Sequence, residues 1–158
     1  MGLLWSSTSE ISTSIEERLR SITREHLTDF SFNGISTVAK VVSVYDGDTC
    51  RIAFGYPAND DDAEIIMIQC CLNRIKSPEI RTRNKEEKSR GLKAKKHLKE
   101  KVMNEGQLVY VYFNENDKFR RPFADIYINE EDVGTFGMSV NNRMVIEKHA
   151  TFYNGDGY

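Results

Sequence analysis

A chain of 158 residues with 22 Lys/Arg against 24 Asp/Glu, a net charge of −2, suits one domain with a small appendage and a single core. The near balance excludes a uniformly basic coat for nucleic acid, although the charge is unevenly spread along the chain. Three cysteines, Cys50, Cys70 and Cys71, with no secretory leader in MGLLWSSTSE, point to an intracellular, reducing compartment, and no run approaches the ~20 apolar residues that span a bilayer.

Residues 1 to about 13 are rich in Ser and Thr. MGLLWS fits the pattern for myristoylation at Gly2, with Ser6 at its second required position. The pattern is loose, and many unmodified chains begin Met-Gly. A single acyl chain holds a membrane only marginally, so membrane attachment would need a second signal. In SIEERLRSITREHLTDF, Ser14 and Glu17 stand in capping-box relation. Ile15, Leu19, Ile22 and Phe30 share one stripe, which Ile11 extends. This predicts an amphipathic helix that packs on the domain's own core or docks on a protein partner or a membrane. Residues 1–35 are therefore set apart from a main domain over 36–158.

After the breaker FNG, strands are predicted over Thr37–Tyr45, Cys50–Phe54 and Glu64–Ile75, the last stopped by Pro78. DGD makes the turn between the first two. A helix is predicted over about Lys85–Met103, with Ala94, Leu98 and Val102 as its apolar seam and Gly91 as a cost. Strands follow over Gln107–Phe113 and Pro122–Ile128. A short helix over Val140–Lys148, capped by Ser139, precedes a turn-like tail, YNGDGY. Three strands, a helix, two strands and a helix predict an α+β fold, a five-stranded OB-type barrel with packed helices plus the N-terminal amphipathic helix.

From Arg81 to Lys101 there are ten Lys/Arg against three Glu, a local net of +7. Such a segment can track a nucleic-acid backbone or anionic headgroups, and would then supply the second membrane signal. It can equally be a solvated helix face.

The chemistry is concentrated in three stretches. VVSVYDGDTCRI holds Asp46 and Asp48 on a tight turn, the kind of rigid carboxylate presentation that hard cations need. CCLNRIKSPEIRT and DKFRRPFADIYI follow in order at barrel-like spacing. Together, over residues 36 to 155, they resemble the staphylococcal nuclease (thermonuclease) family. The PEIRT-x-N-x-EEK style and the final Tyr-x-Gly turn are similar to those of short thermonuclease-like proteins of large DNA viruses, which adds a virus particle to the settings implied.

The resemblance implies a barrel that hydrolyses phosphodiesters with Ca²⁺. It implies Asp48 as a metal ligand, a carbonyl oxygen from Ser77, Glu79 as general base or water positioner, and Arg121 as one of two phosphate-clamping arginines. The family's other clamp is Cys71 here, and its second metal-ligating Asp is Lys76. A thiol cannot make a bidentate, permanently charged contact with phosphate. A lysine removes a carboxylate and adds a cation where a dication should sit. Its ammonium is expected to pair with Asp48 or Glu79, leaving no Lewis acid at the site. In a regular strand Arg74 faces away from position 71, so only a bulge would let it replace the lost arginine.

Cys70 and Cys71 are neighbours whose side chains diverge on a strand, and no second pair completes a tetrahedral zinc site; structural cysteines are expected. No cofactor is implied unless the chain is active, when Ca²⁺ is. Three functions remain open. The first is a catalytically impaired nuclease-fold module acting in binding or structure, at a membrane or in a virion. The second is an active Ca²⁺-dependent enzyme with a rearranged site using Arg74 or Arg51. The third is a nucleic-acid binder through Arg81, Arg83, Lys85 and Lys88, with Phe119 and Tyr153 stacking on bases.

Overall fold

The computed structural model describes residues 14–153. Gly2, Ser6, Ile11 and the tail beyond Tyr153 lie outside the described residues. The chain divides into two units, Met1–Phe30 and Ser31–Tyr158.

In the first unit, α1 spans Ile15–Ser21. Its capping box is formed: the Ser14 hydroxyl accepts from the Glu17 N–H, and the Glu17 carboxylate accepts from the Ser14 N–H. The helix is shorter than its apolar stripe. Ile22 is its C-cap with extended backbone, so Phe30 lies beyond it.

In the second unit, β1 (Ser36–Asp46), β2 (Thr49–Tyr56), β3 (Glu64–Leu72), β5 (Val109–Asn116) and β6 (Pro122–Tyr127) close a barrel in the order β1-β2-β3-β6-β5. Antiparallel pairing of β1 with β5 completes the circle, and β3 meets β6 in parallel at Cys71–Phe123 and Leu72–Ala124. The alternation in β1 puts Thr37, Ala39 and Val41 inside. A register shift between Val41 and Ser43 then bends the strand toward the DGD turn. Ile52, Phe54, Leu72, Val111, Phe113 and Ile126 fill the interior. Phe32 belongs to this packing, edge-on to Phe54 at 5.4 Å between ring centroids.

One predicted strand is corrected. The run from Glu64 does not continue to Ile75; β3 ends at Leu72, and β4 (Ile75–Lys76) leaves the barrel to pair with β7 (Thr151–Phe152). The break has visible causes. The Asn73 N–H donates to the Ala124 carbonyl, its amide donates to the Asp125 carboxylate, and Arg74 takes a left-handed φ of 65°. Apolar continuity through Ile75 conceals this corner.

Helix α2 (Lys85–Val102) starts at Asn84, whose side chain accepts from the N–H groups of Glu86 and Glu87. It buries Gly91, Ala94, Leu98 and Val102. A Cβ at Gly91 would stand 2.7 Å from the Pro78 carbonyl oxygen. That glycine is what lets the helix seat against the Pro78–Glu79 corner. Helix α3 (Val140–Ile146) is capped by Ser139 as predicted. Its buried Asn141 accepts from the Ile126 N–H and donates to the carbonyls of Asn73 and Ala124. One side chain thus ties together α3, β6 and the corner after β3.

Candidate functional site

Five of the residues singled out, Asp46, Asp48, Cys71, Ser77 and Arg121, meet at one end of the barrel. Asp48 follows Gly47 in the β1–β2 turn. Its carboxylate accepts from the Thr49 hydroxyl at 3.0 Å through Oδ1 and from the Ser77 N–H at 2.7 Å through Oδ2. The turn is wedged in place, since a Cβ on Gly47 would lie 2.6 Å from the Ser77 Cβ and 2.7 Å from the Ala94 Cβ. Asp46 joins the cluster by accepting from the Asp48 N–H. Burial, reinforced by the neighbouring Asp48 charge, pushes the Asp46 carboxyl up to about 7.

Cys71 stands opposite Thr49 in the β2–β3 ladder. Its half-buried thiol is pushed up to about 11, chiefly by burial, with the Arg121 guanidinium pulling the other way. Arg121 is braced by its own loop. Asp117 accepts from the Arg121 backbone N–H at 2.8 Å and from its Nε at 2.9 Å, and also from the Phe119 N–H. The loop turns through Arg120 at a φ of 62°. Phe119 is 67% exposed, with the Lys118 ammonium and the Arg121 guanidinium 5.2 and 5.6 Å from its ring centroid.

The remaining residues lie around this cluster or point elsewhere. Glu79 is exposed at the corner; its N–H donates to the Glu87 carboxylate, and its carbonyl faces Gly91. Arg81 lies 5.8 Å from the Tyr45 ring centroid, and Arg83, Lys85 and Lys88 are exposed. Tyr153 is half-buried. Among the described residues, no ion pair joins Lys76 to Asp48 or Glu79, contrary to expectation. The Lys76 ammonium lies 5.8 Å from the Tyr153 ring centroid, while the acceptors on Asp48 serve Thr49 and Ser77. Arg74 does not replace the missing arginine. Its guanidinium sits 4.7 Å from the Phe136 ring centroid, because the chain turns at Arg74 instead of bulging within a strand.

A family model of staphylococcal nuclease homologues matches residues 69–157, more than half of the chain. The chain belongs to the staphylococcal nuclease homologue family. No curated protein matches it. The matched stretch covers Cys71, Lys76, Glu79 and Arg121 but begins after the DGDT turn. In this nuclease-family barrel, the Asp48–Ser77 hydrogen bond brings that turn to the matched region.

The donor set fits a hard dication poorly. Ca²⁺ takes six to eight oxygen ligands. Here Asp46 and Asp48 supply carboxylates from one turn, Lys76 precedes Ser77 where the resemblance puts a second ligating Asp, and each Asp48 oxygen already accepts one hydrogen bond. Ser77 presents its N–H to Asp48, and its buried hydroxyl has no hydrogen-bond partner among the described residues. Among the described residues, no group of three or more His, Cys, Asp or Glu is placed to hold a metal.

Sequence reasoning did not single out Thr49, although it adjoins Asp48 in its motif, and used Asp117 only to align Arg121, without giving it a role. It also missed that Cys50 pairs with Cys70 across β2 and β3, their sulfurs 3.7 Å apart and both buried. Equal spacing of Cys50 and Cys70 on either side of the polar loop at 57–63 was the available signal.

Proposed function

We propose that this nuclease-family module holds nucleic acid without hydrolysing it at a rate typical of its family. The observation that carries the reading is Lys76, a cation next to the Ser77 whose N–H the Asp48 carboxylate binds, where a metal would need a second carboxylate. Asp48 itself already accepts one hydrogen bond on each oxygen, from the Thr49 hydroxyl and the Ser77 N–H. Arg121 keeps a guanidinium beside Cys71, so a phosphate still finds one cation there. The second clamp is missing, and positive groups on a transferring phosphoryl group are worth about 10³–10⁵ in rate. The form of the rearranged active site that uses Arg74 is weakened by the engagement of Arg74 with Phe136.

Calorimetric titration of the full chain with Ca²⁺, with and without a short oligonucleotide, tests the reading. The expected result is no saturable Ca²⁺ heat in either case, together with oligonucleotide binding that does not need Ca²⁺. Stoichiometric Ca²⁺ binding that Asp48→Asn abolishes would overturn it.

A further inference from the structure

Helix α2 carries a row that the barrel site does not use. Lys85, Lys88, Leu92, Lys95 and Lys99 follow one another at spacings of three and four residues. At 3.6 residues per turn they fall within about 80° of one another around the helix, and the row runs about 21 Å along its axis. Lys85, Lys88 and Lys99 are exposed, Leu92 is 47% exposed, and Lys95 is half-buried. Among the described residues none of these four lysines has an ion-pair partner; Lys96, at the edge of the row, pairs with Glu100 at 3.8 Å. No acidic residue interrupts the row.

The two flanks of α2 are used differently. His97 and Lys101 turn toward α3, where both meet the Glu147 carboxylate. The lysine row lies on the other flank, bordering Gly91, where an added Cβ would meet the carbonyls of Pro78 and Glu79. It is thus continuous with the corner that carries Glu79. We propose that this row is a second contact surface, one that tracks the phosphate backbone of double-stranded nucleic acid.

The side chains favour a duplex over a single strand. Sequence-tolerant single-strand sites stack bases on aromatic rings, and this row has no aromatic residue. Lysines present point charges without the planar geometry that selects a base edge. A straight, rigid row of point charges suits a polymer whose phosphates are themselves held in regular array. The inference rests on the proposed holding of nucleic acid, and assigns the type of strand to a surface apart from the Arg121 cluster.

The test uses the full chain and a fluorescein-labelled duplex of twenty base pairs, followed by fluorescence anisotropy across a salt series. Neutralising n phosphate contacts contributes about −0.9n to the slope of log K against log salt. The triple variant Lys88→Gln/Lys95→Gln/Lys99→Gln should flatten the slope by about 2.7. A control with the same charge removed elsewhere, Arg90→Gln/Lys93→Gln/Arg143→Gln, should leave the slope close to that of the parent. Circular dichroism melts confirm that both variants fold.

Equal slopes for the two triple variants would overturn the inference while leaving the proposed function standing. Failure of the parent to bind any nucleic acid would overturn both. Loss of binding to a twenty-nucleotide single strand, equal to or larger than the loss for the duplex, would also contradict the assignment. So would row-dependent binding to phosphatidylserine vesicles by a parent that ignores the duplex.

Discussion

Replacing Gly91 by Ala sets helix propensity directly against packing. In an open helix interior the change should stabilise by about 1 kcal/mol, because alanine loses less backbone entropy on folding. Here the new methyl would meet the Pro78 carbonyl oxygen at 2.7 Å, the Glu79 carbonyl oxygen at 3.0 Å and the Ile80 Cγ1 at 3.0 Å. Two of these are main-chain atoms that cannot rotate aside, so either the helix or the corner must move. Overpacking of this kind costs about 1–3 kcal/mol, and contact with backbone argues for the upper half of that range. The net expectation is a loss of about 1–2 kcal/mol, a fall in Tm of about 3–6 °C for a chain of this size. Thermal and urea melts of the full chain measure it. A Tm equal to or above that of the parent would refute the claim that α2 is seated through Gly91.

Asn141→Ala should cost about 2 kcal/mol or more in urea denaturation, because the Ile126 N–H and the Asn73 carbonyl lose the Asn141 amide together, while the Ala124 carbonyl keeps the Asn73 N–H. Glu147 is held down at about 2, first by the hydrogen bond from Lys101 and then by His97. A carboxyl lowered on folding stabilises fully above its ordinary value, and the gain disappears as pH falls through the folded value. The stability difference between parent and Glu147→Gln should therefore shrink as pH falls below the ordinary carboxyl range toward about 2; a gap that widens over that range would contradict this. The native cysteines should resist iodoacetamide at pH 8, Cys70 through burial with Cys50 against it and Cys71 because its thiol is pushed up to about 11. Mass spectrometry showing rapid native labelling of Cys71 would count against its placement.

The barrel was legible because its cues are local. Alternation in β1, turn chemistry at Asp46–Asp48 and the Ala94–Leu98–Val102 seam each act within a few residues. The site was legible where family-like motifs carried it, since Asp48, Cys71 and Arg121 do converge. What escaped depends on distant partners. Asn73 leaves the barrel because Ala124 and Asp125 hold it, and no pattern within Glu64–Ile75 encodes residues fifty positions away. The direction of Lys76 is similar: its strand pairs with β7, which carries Tyr153 to it, whereas reasoning from charge alone sent it to Asp48 or Glu79. Gly91 looked like a defect in a helix because its reason lies in the corner it faces.

The central claim is that the site lacks metal-dependent hydrolysis because of two positions, Cys71 and Lys76. The most direct measurement compares Ca²⁺-dependent cleavage of a plasmid by the parent chain and by the double variant Cys71→Arg/Lys76→Asp. The account predicts cleavage by the double variant that requires Ca²⁺ and is at least about 10³-fold faster than in the parent. Parent cleavage at a comparable rate, abolished by Glu79→Gln, would contradict it.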